Sequence, residues 1–382
     1  MKVLVAPLDW GLGHATRCVP VIREFLSQGA EVEIAVVRAN AAFFREVFPE
    51  VRQRLAPGYN VVYPKYGANM GLWLLKSSAH LNAVMRYEHR YAEEMVARHG
   101  YDILFSDNRF AFFSKKAHNV YMTHQRRIAF PAAFSAFEGI GIRWHEARMG
   151  RFDEVWVPDT EEFPGYAGAL SHLPASTVPT VRRGGAPLPV KFVGPLSRFA
   201  GMEMPAPVAR GNGRRDSGLN VVAVVSGVEP ARSQFEASLR KTLREIPGKH
   251  TVILGKPQLG QKSWTEGNIE FHSHLPTETF ASVVRDADWV ISRGGYSTVM
   301  DMAFLGAKCI FVPTPGQYEQ VVLAHDLAAA GYAVHVPANR LSVKTLEESF
   351  KKDVALPKPG EGSLLHGAVA DLLAGLSTGR SK

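Results

Sequence analysis

Residues 292–301, with the sequence SRGGYSTVMD, combine residue types that suit the binding of an anion. They follow an apolar strand pattern and open a helical one. Adjacent glycines let the backbone approach a ligand closely, and the N–H groups at the start of a helix attract negative charge. Arg293 adds a guanidinium beside them, and Asp301 follows two turns later, where a carboxylate could bind a ribose. Together with the segment GQYEQ at 316–320, this pattern predicts a nucleotide-sugar site, and an ordinary strand–turn–helix connection is the alternative.

A glycine-rich loop near the N-terminus carries a second group of candidate reactive residues. Gly11 and Gly13 permit a tight turn after an apolar strand pattern, and His14 follows where a helix begins. Histidine is a candidate general base because its ordinary pKa lies near neutral pH, whereas a helix-capping histidine is the alternative. Asp107 and His124 each follow a later strand pattern. Asp107 would either orient His14 or act as the base itself, and a turn carboxylate and a packing histidine are the structural alternatives.

The elements that must position these residues alternate between strand and helix patterns, which is typical of parallel sheets covered by helices on both faces. One complete series occupies residues 1–195, residues 196–218 are rich in Pro, Gly and Arg and predict a linker, and a second series fills 219–382 and closes with a helical tail. The fold class is therefore α/β, with two doubly wound, Rossmann-like domains facing each other across a cleft at their strand ends. The strands are expected at 2–7, 31–37, 61–63, 102–106, 120–123, 154–157, 190–193, 219–225, 251–254, 269–271, 289–292, 309–312 and 333–336.

Composition and charge narrow the class of protein. The chain has 382 residues, enough for two domains, and 46% of them are hydrophobic. The net charge of +8 suits phosphate ligands or an anionic surface, but no nucleic-acid motif accompanies it, so we expect no nucleic-acid partner. Cys18 and Cys309 lie far apart and show no metal-ligand spacing.

The location that the sequence predicts is cytoplasmic. No apolar run reaches the roughly 18–20 residues of a membrane helix, and the first residues show no signal-peptide pattern. Residues 71–75 (GLWLL), with Lys65, Lys76 and Arg86, would suit contact with a bilayer surface, which leaves open a peripheral position on the inner face of the cytoplasmic membrane. An apolar helix start buried inside the domain explains the same pattern.

Taken together, residues 11–17 (GLGHATR), 293–301 and 316–320 resemble the GT-B glycosyltransferases of family 28, most strongly between 221 and 333. The first domain is similar to a bacterial subgroup of uncertain substrate. The resemblance implies a GT-B fold and an inverting transfer of a hexose from a nucleoside-diphosphate sugar, with UDP as the carrier. It also implies a glycan or lipid-linked acceptor of the cell envelope.

The resemblance further implies roles for individual residues. The donor site would comprise Ser226, Gly227, His274, Leu275, Arg293, Gly294, Gly295, Ser297, Asp301, Gln317, Glu319 and Gln320. The diphosphate would lie on Arg293 and the two glycines that follow it, and the ribose on Asp301. Glu319 and Gln320 would bind the sugar, and the backbone at 273–275 would contact the base. The catalytic residues would be His14 and Asp107, with an acceptor side formed by Gly11, Gly13, His124 and Gln125.

No metal and no cofactor are expected. Asp286 and Asp288 have the Asp-x-Asp spacing of a metal site, but they lie between a helix and a strand, where solvated carboxylates are the ordinary interpretation. Two other functions remain open on the same fold. One is a nucleotide-sugar epimerase, which needs no acceptor, and the other is a protein that binds sugar nucleotides without turnover.

Overall fold

The computed structural model describes residues 1–9, 12–59, 70–128, 138–173, 180–182, 185–202, 218–227, 229–256, 259–360 and 363–379, without the side chains of 70–79, 363 and 379. The chain forms two compact units. The first comprises Met1–Ala200 with Gly360–Lys382, and the second comprises Gly201–Pro359. Each unit is built on its own seven-stranded sheet.

The sheet of the first unit is entirely parallel, with the strand order β3-β2-β1-β4-β5-β6-β7. Its strands are β1 (Lys2–Pro7), β2 (Glu31–Val36), β3 (Gln53–Leu55), β4 (Ile103–Asp107), β5 (His118–Met122), β6 (Glu154–Val157) and β7 (Val190–Phe192). Its first helices are α1 (Leu12–Ser27), α2 (Arg38–Val47), α3 (Met70–His99) and α4 (Glu138–Met149). The order reverses between β1 and β4, so the loops that follow these two strands meet at one edge of the sheet.

Strand β1 is apolar throughout because both of its faces are covered. Val3 and Val5 belong to the core beneath α1, whereas Leu4 and Ala6 belong to the core beneath α3. Successive side chains of a strand point to opposite faces, so a strand buried on both sides loses the apolar–polar alternation of a half-exposed one. This strand therefore holds the loop that leads to His14 on a rigid support.

The second unit repeats the doubly wound order around its own first strand, β10-β11-β9-β8-β12-β13-β14. Its strands are β8 (Val221–Val224), β9 (His250–Ile253), β10 (Ser263–Glu266), β11 (Ile269–His272), β12 (Trp289–Ser292), β13 (Cys309–Phe311) and β14 (Val334–His335). Its helices are α5 (Ala231–Arg244), α6 (Thr277–Arg285), α7 (Tyr296–Leu305), α8 (Tyr318–Ala329) and α9 (Val343–Ser349). The order reverses between β8 and β12. All neighbours pair in parallel except β10, which pairs antiparallel with β11 through a turn at Gly267.

The prediction of two doubly wound α/β units is confirmed, while one part of the domain assignment needs correction. The last helix, α10 (Ser363–Gly379), was expected in the second domain but packs in the core of the first unit. Its residues Leu365, Ala368, Val369 and Leu372 share that core with α1. They form an apolar stripe at helical spacing, which requires a partner but does not identify one.

Several expectations fall outside the described residues. These are the strand at 61–63, Lys65, the side chains of 71–76, Gly11, and the linker from 203 to 217. Within the described part of the chain, no helix is both long enough and apolar enough to cross a membrane.

Candidate active site

The reversal point of the first sheet brings His14 and Asp107 into contact. His14 lies in the first turn of α1, and Asp107 is the last residue of β4. The distance between His14 Nδ1 and Asp107 Oδ2 is 2.9 Å, although the two residues are 93 positions apart in the sequence. The His14 side chain is 14% exposed and the Asp107 side chain is fully buried. A carboxylate on Nδ1 of an imidazole orients the ring and leaves Nε2 to exchange a proton.

Arg17 lies at the centre of this cluster, a position that the sequence analysis did not assign. Its Nε lies 2.8 and 3.0 Å from the two carboxylate oxygens of Asp107, and its Nη2 also donates to Asp107 Oδ1. The same guanidinium lies 2.8 Å from His14 Nδ1 and 2.7 Å from His124 Nδ1. The available sequence signal was the spacing of three residues between His14 and Arg17, which places both on one helix face.

The charge on Asp107 decides which group in the cluster can act as a base. Burial by itself would raise the pKa of this carboxyl, but the charges of Arg17 and His14 and their hydrogen bonds lower the pKa of Asp107 to about 2. Asp107 is therefore an ionised, buried acceptor and an unsuitable base for a substrate hydroxyl. Of the two roles left open from the sequence, the geometry favours the one in which Asp107 orients His14.

The remaining acceptor-side residues occupy different environments. His124 is buried, and its Nδ1 faces Arg17. The backbone N–H of Gln125 donates to Thr123 Oγ1 in the turn after β5, and the Gly13 carbonyl accepts from Thr16 Oγ1. His124 therefore joins the cluster of His14, Arg17 and Asp107, while the acceptor contacts expected for Gly13 and Gln125 stay predictions.

In the second unit, the two glycines that follow Arg293 play different parts. A Cβ atom on Gly294 would lie at ordinary contact distance, 3.4 Å from Phe311 Cβ and 3.5 Å from the Gln320 carbonyl, so Gly294 lies against β13 and α8. Gly295 is the N-cap of α7 and provides no capping side chain, and a Cβ there would meet only Gln320 Nε2, at 3.9 Å. The start of α7 therefore has space for an anion beside Gly295.

The contacts of Arg293 indicate a role that the sequence did not suggest. Nη1 donates to the carbonyls of Val312 and Pro313 at 2.9 and 3.0 Å, and Nη2 donates to the carbonyl of Ala231 at 2.9 Å. The guanidinium also stacks on Phe235, 4.0 Å from the ring centroid. The diphosphate contact expected of Arg293 stays a prediction, whereas these bonds favour a clamp between three chain segments.

Buried polar atoms without a hydrogen-bond partner gather at the strand ends of this sheet. Within the described residues they include Ser292 Oγ at the end of β12, Thr314 Oγ1 after β13, and His274 Nδ1 after β11. Buried polar groups are normally paired, so such a group marks a place where a ligand can complete the bonding. Ser292 begins the stretch that the sequence indicated for anion binding, but neither its hydroxyl nor that of Thr314 was assigned a role from the sequence.

The loop after β8 approaches the hydroxyl of Thr314. Gly227 has φ of +106°, and a Cβ there would lie 3.7 Å from Thr314 Oγ1. Ser226 is half-buried and Gly227 is exposed. The structure therefore brings the predicted Ser226–Gly227 loop next to the β13–α8 connection.

The first turn of α8 carries the residues expected to bind the sugar. Gln320 Oε1 accepts from the Thr314 backbone N–H at 2.8 Å, and its Nε2 donates to Gln317 Oε1. These two bonds hold the connection between β13 and α8. Asp301 is buried in α7, whereas Glu319 and Leu275 are half-buried. The ribose, sugar and base contacts of these residues, and that of Ser297, stay predictions.

The Asp-x-Asp spacing lies at the opposite edge of this sheet. Asp288 precedes β12 and accepts from the Asn220 backbone N–H at 2.8 Å, and the Asp286 carbonyl accepts from the Asn220 side chain. In the described ranges, no three His, Cys, Asp or Glu side chains lie close enough together to hold a metal ion.

Comparison with known proteins relates the second unit to one family. The glycosyltransferase family 28 C-terminal domain matches residues 233–359. Over 177 residues the chain is 28% identical to the UDP-N-acetylglucosamine--N-acetylmuramyl-(pentapeptide) pyrophosphoryl-undecaprenol N-acetylglucosamine transferase of Alkalilimnicola ehrlichii, covering 44% of this chain and 48% of that protein. The protein of the same name from Agrobacterium fabrum is 32% identical over 117 residues, covering 26% of this chain and 30% of that protein. The chain thus spans about half the length of the curated relatives it matches, or less.

Two solved structures are similar over almost the whole chain. MurG of Acinetobacter baumannii has a TM-score of 0.58 at 13% identity, covering 98% of this chain and 99% of that one. The calicheamicin glycosyltransferase CalG4 has a TM-score of 0.59 at 14% identity, covering 99% and 94%. At these identities the likeness shows a shared fold.

Proposed function

We propose that the chain is a GT-B glycosyltransferase of family 28 that transfers a sugar from a nucleoside-diphosphate sugar to an acceptor hydroxyl, and the match of residues 233–359 to the C-terminal domain of that family supports this. The observation that carries this proposal is the hydrogen bond between His14 and Asp107 at the reversal point of the first sheet. Ligands of doubly wound sheets bind at this edge. A paired imidazole and carboxylate there supplies the base that an acceptor hydroxyl requires.

On the acceptor side, His14 Nε2 removes the proton of the hydroxyl as its oxygen attacks the anomeric carbon. Asp107 accepts the Nδ1–H bond and stabilises the imidazolium that forms, since it remains ionised with a pKa of about 2. A single in-line displacement inverts the configuration at the anomeric carbon. We therefore propose an inverting transfer.

On the donor side, the leaving diphosphate lies at the start of α7. The helix dipole and the space beside Gly295 favour a negative group, and the buried hydroxyls of Ser292 and Thr314 can donate hydrogen bonds to it. These groups stabilise charge that develops as the diphosphate departs. We accordingly propose that the transfer is independent of a metal ion.

The relatives suggest the substrate classes. Their names specify a UDP-sugar donor and an undecaprenol-linked acceptor, so we propose UDP as the carrier and a glycan or lipid-linked acceptor for this chain. A lipid-linked acceptor requires access to a membrane surface. The corresponding proposal for location is the cytoplasm, with peripheral contact at the inner membrane face.

The test uses the purified full-length protein with a panel of UDP-, dTDP- and GDP-sugars, with and without lipid-linked and glycan acceptors. We expect acceptor-dependent release of the nucleoside diphosphate, and loss of at least about a hundredfold in His14→Gln. His366→Gln is the matched control, because this exposed histidine of α10 contacts Glu24 of α1 and Gln28 just after that helix. Equal turnover in both variants would contradict the assignment of His14.

Further measurements on the same reaction separate the alternatives. NMR of the product reports the anomeric configuration, and a rate that EDTA leaves unchanged supports metal independence. Conversion of the donor to another sugar without any acceptor would instead identify an epimerase. Binding of the donor without turnover under every acceptor condition would identify a binding protein.

A further inference from the structure

We propose that Arg17 is a positioning residue that keeps His14 as a neutral base with its proton on Nδ1. The proposal rests on the proposed function for its catalytic meaning, but its structural content is independent of any substrate. Arg17 is 2% exposed and its guanidinium contacts three side chains at once. A fixed planar fork suits this arrangement, in which one edge holds a carboxylate and the remaining N–H groups reach two imidazoles.

The contacts of Arg17 restrict where the two histidines can carry their protons. Arginine has N–H donors only, so the 2.7 Å contact from Nη1 requires a lone pair on His124 Nδ1. His14 Nδ1 faces both a donor, Arg17 Nη2 at 2.8 Å, and an acceptor, Asp107 Oδ2 at 2.9 Å. One ring nitrogen can satisfy only one of these partners.

The contacts between Arg17 and Asp107 favour one of the two tautomers. Arg17 has five N–H groups, and three of them donate to Asp107 and His124, so the guanidinium stays anchored without a bond to His14. Asp107 Oδ2 is thereby fixed where it accepts from a protonated Nδ1 of His14. With its proton on Nδ1, His14 has a lone pair on Nε2, which is the atom that a general base needs.

Two opposite charges lie beside His14. Its Nδ1 faces the Arg17 guanidinium and the Asp107 carboxylate, while Cys18 Sγ lies 3.6 Å from the same carboxylate oxygen and His124 lies beyond Arg17. The Asp107 carboxylate favours protonation of His14, and the Arg17 guanidinium opposes it. In this proposal the two opposite charges offset each other at His14, so the imidazole is neutral more readily than it would be beside a lone carboxylate.

The experiment compares the wild-type protein, Arg17→Met, Arg17→Lys and the control Arg23→Met. Arg23 lies on the exposed side of α1 and donates to the Arg198 carbonyl, away from the cluster. Proteins with ¹⁵N-labelled histidine are titrated by NMR without substrate, with His14→Gln used for assignment. The ¹⁵N shifts report the tautomer, and the midpoint reports protonation.

We expect Arg17→Met to move the His14 midpoint upward by about one pH unit, because Asp107 is then unopposed. Arg23→Met should leave the midpoint in place. Arg17→Lys keeps the charge but not the fork, so its midpoint should remain near that of the wild type while the Nδ1–H tautomer loses population. This variant decides the question if Arg17→Met fails to fold.

The outcomes for this proposal and for the proposed function are distinguishable. An unchanged or lowered His14 midpoint in folded Arg17→Met, or an unchanged tautomer in Arg17→Lys, would overturn the role of Arg17 whether or not transfer is observed. The acidic limb of the pH profile of kcat/KM should follow the NMR midpoint of each variant. Absence of transfer by the wild-type protein would overturn the proposed function and leave the titration result standing.

Discussion

Arg293 provides the sharpest test, because the sequence and the structure assign it different tasks. A diphosphate ligand would be needed only when the donor binds, whereas a clamp stabilises the second unit at all times. In the structure, the guanidinium donates to three backbone carbonyls, and each hydrogen bond from a charged donor contributes about 1.5–3 kcal/mol. Burial lowers the pKa of Arg293 to about 10, which corresponds to a cost of ~3 kcal/mol for keeping it charged.

The three bonds outweigh that cost. We therefore expect Arg293→Met to lower the free energy of unfolding of the second unit by about 3 kcal/mol in the absence of any nucleotide. Arg293→Lys should be destabilised by a similar amount, because one ammonium cannot reach three separate carbonyls. The matched control is Arg244→Met, which loses an exposed ion pair with Glu266 and should leave the free energy of unfolding nearly unchanged.

The assay is urea unfolding of the full-length variants, repeated with UDP at a hundred times its dissociation constant. Saturation at this level stabilises a binding protein by about 2.7 kcal/mol. A clamp predicts a large loss of unfolding free energy without UDP, while the gain from UDP stays at about 2.7 kcal/mol. If unfolding without UDP is the same in Arg293→Met and the wild type, and only the gain from UDP disappears, the clamp is refuted and the diphosphate role stands.

Three further predictions concern the remaining sites. Asp107→Asn leaves the buried Arg17 charge uncompensated and should lower the free energy of unfolding by about 3–5 kcal/mol. Transfer should fall at least a hundredfold, because His14 loses its carboxylate partner. A stable, fully active variant would contradict both the ion-pair role and the orienting role of Asp107. Burial, and to a smaller extent the charge of Arg148, lowers the pKa of His145 to about 4. Between pH 6.5 and 4 this histidine therefore binds a proton in the unfolded chain but not in the folded one. The folded state therefore loses about 2 kcal/mol of stability as the pH falls from 7 to 5. Urea titrations should show that His145→Gln removes this pH dependence. An identical pH dependence in the variant would refute the effect of His145. Gly248 has φ of +137°, and a Cβ there would lie 2.0 Å from the Leu219 carbonyl oxygen, whereas a Cβ on Gly267 would meet open space. Gly248→Ala should therefore lower Tm far more than Gly267→Ala. Equal Tm values for the two variants would contradict this prediction.

The sequence predicted the sheet elements well where apolar runs are bounded by turn residues. β1, β6 and β12 begin and end as expected, and most other strands differ by one or two residues at an end. β10 was missed because its residues SWTE are mostly polar, and what supports the strand is the stacking of Trp264 on Phe271, 5.3 Å between centroids. That contact comes from a neighbouring strand, and no local pattern reveals it.

The candidate sites, like the strands, could be predicted only in part from the sequence. The glycines, hydroxyls and charged groups at strand ends could be located from the sequence, since parallel strands present their C-terminal ends along one edge. The hydrogen-bond partners of these groups could not be located from the sequence. Asp107 and Arg17 are 90 residues apart in the sequence, and the contact between them depends on β1 and β4 being neighbours in the sheet.

By itself, the sequence determined two α/β series and the strand-end loops that carry the chemistry, because the periodicity of apolar residues and the conformational freedom of glycine are local properties. Only the tertiary structure decided which groups share a hydrogen bond. It placed Arg17 between Asp107 and two histidines, turned Arg293 toward backbone carbonyls, and packed α10 on α1. Each of these outcomes depends on burial beside a distant segment, where an unpaired polar group or an uncovered apolar stripe costs free energy and a partner must be found.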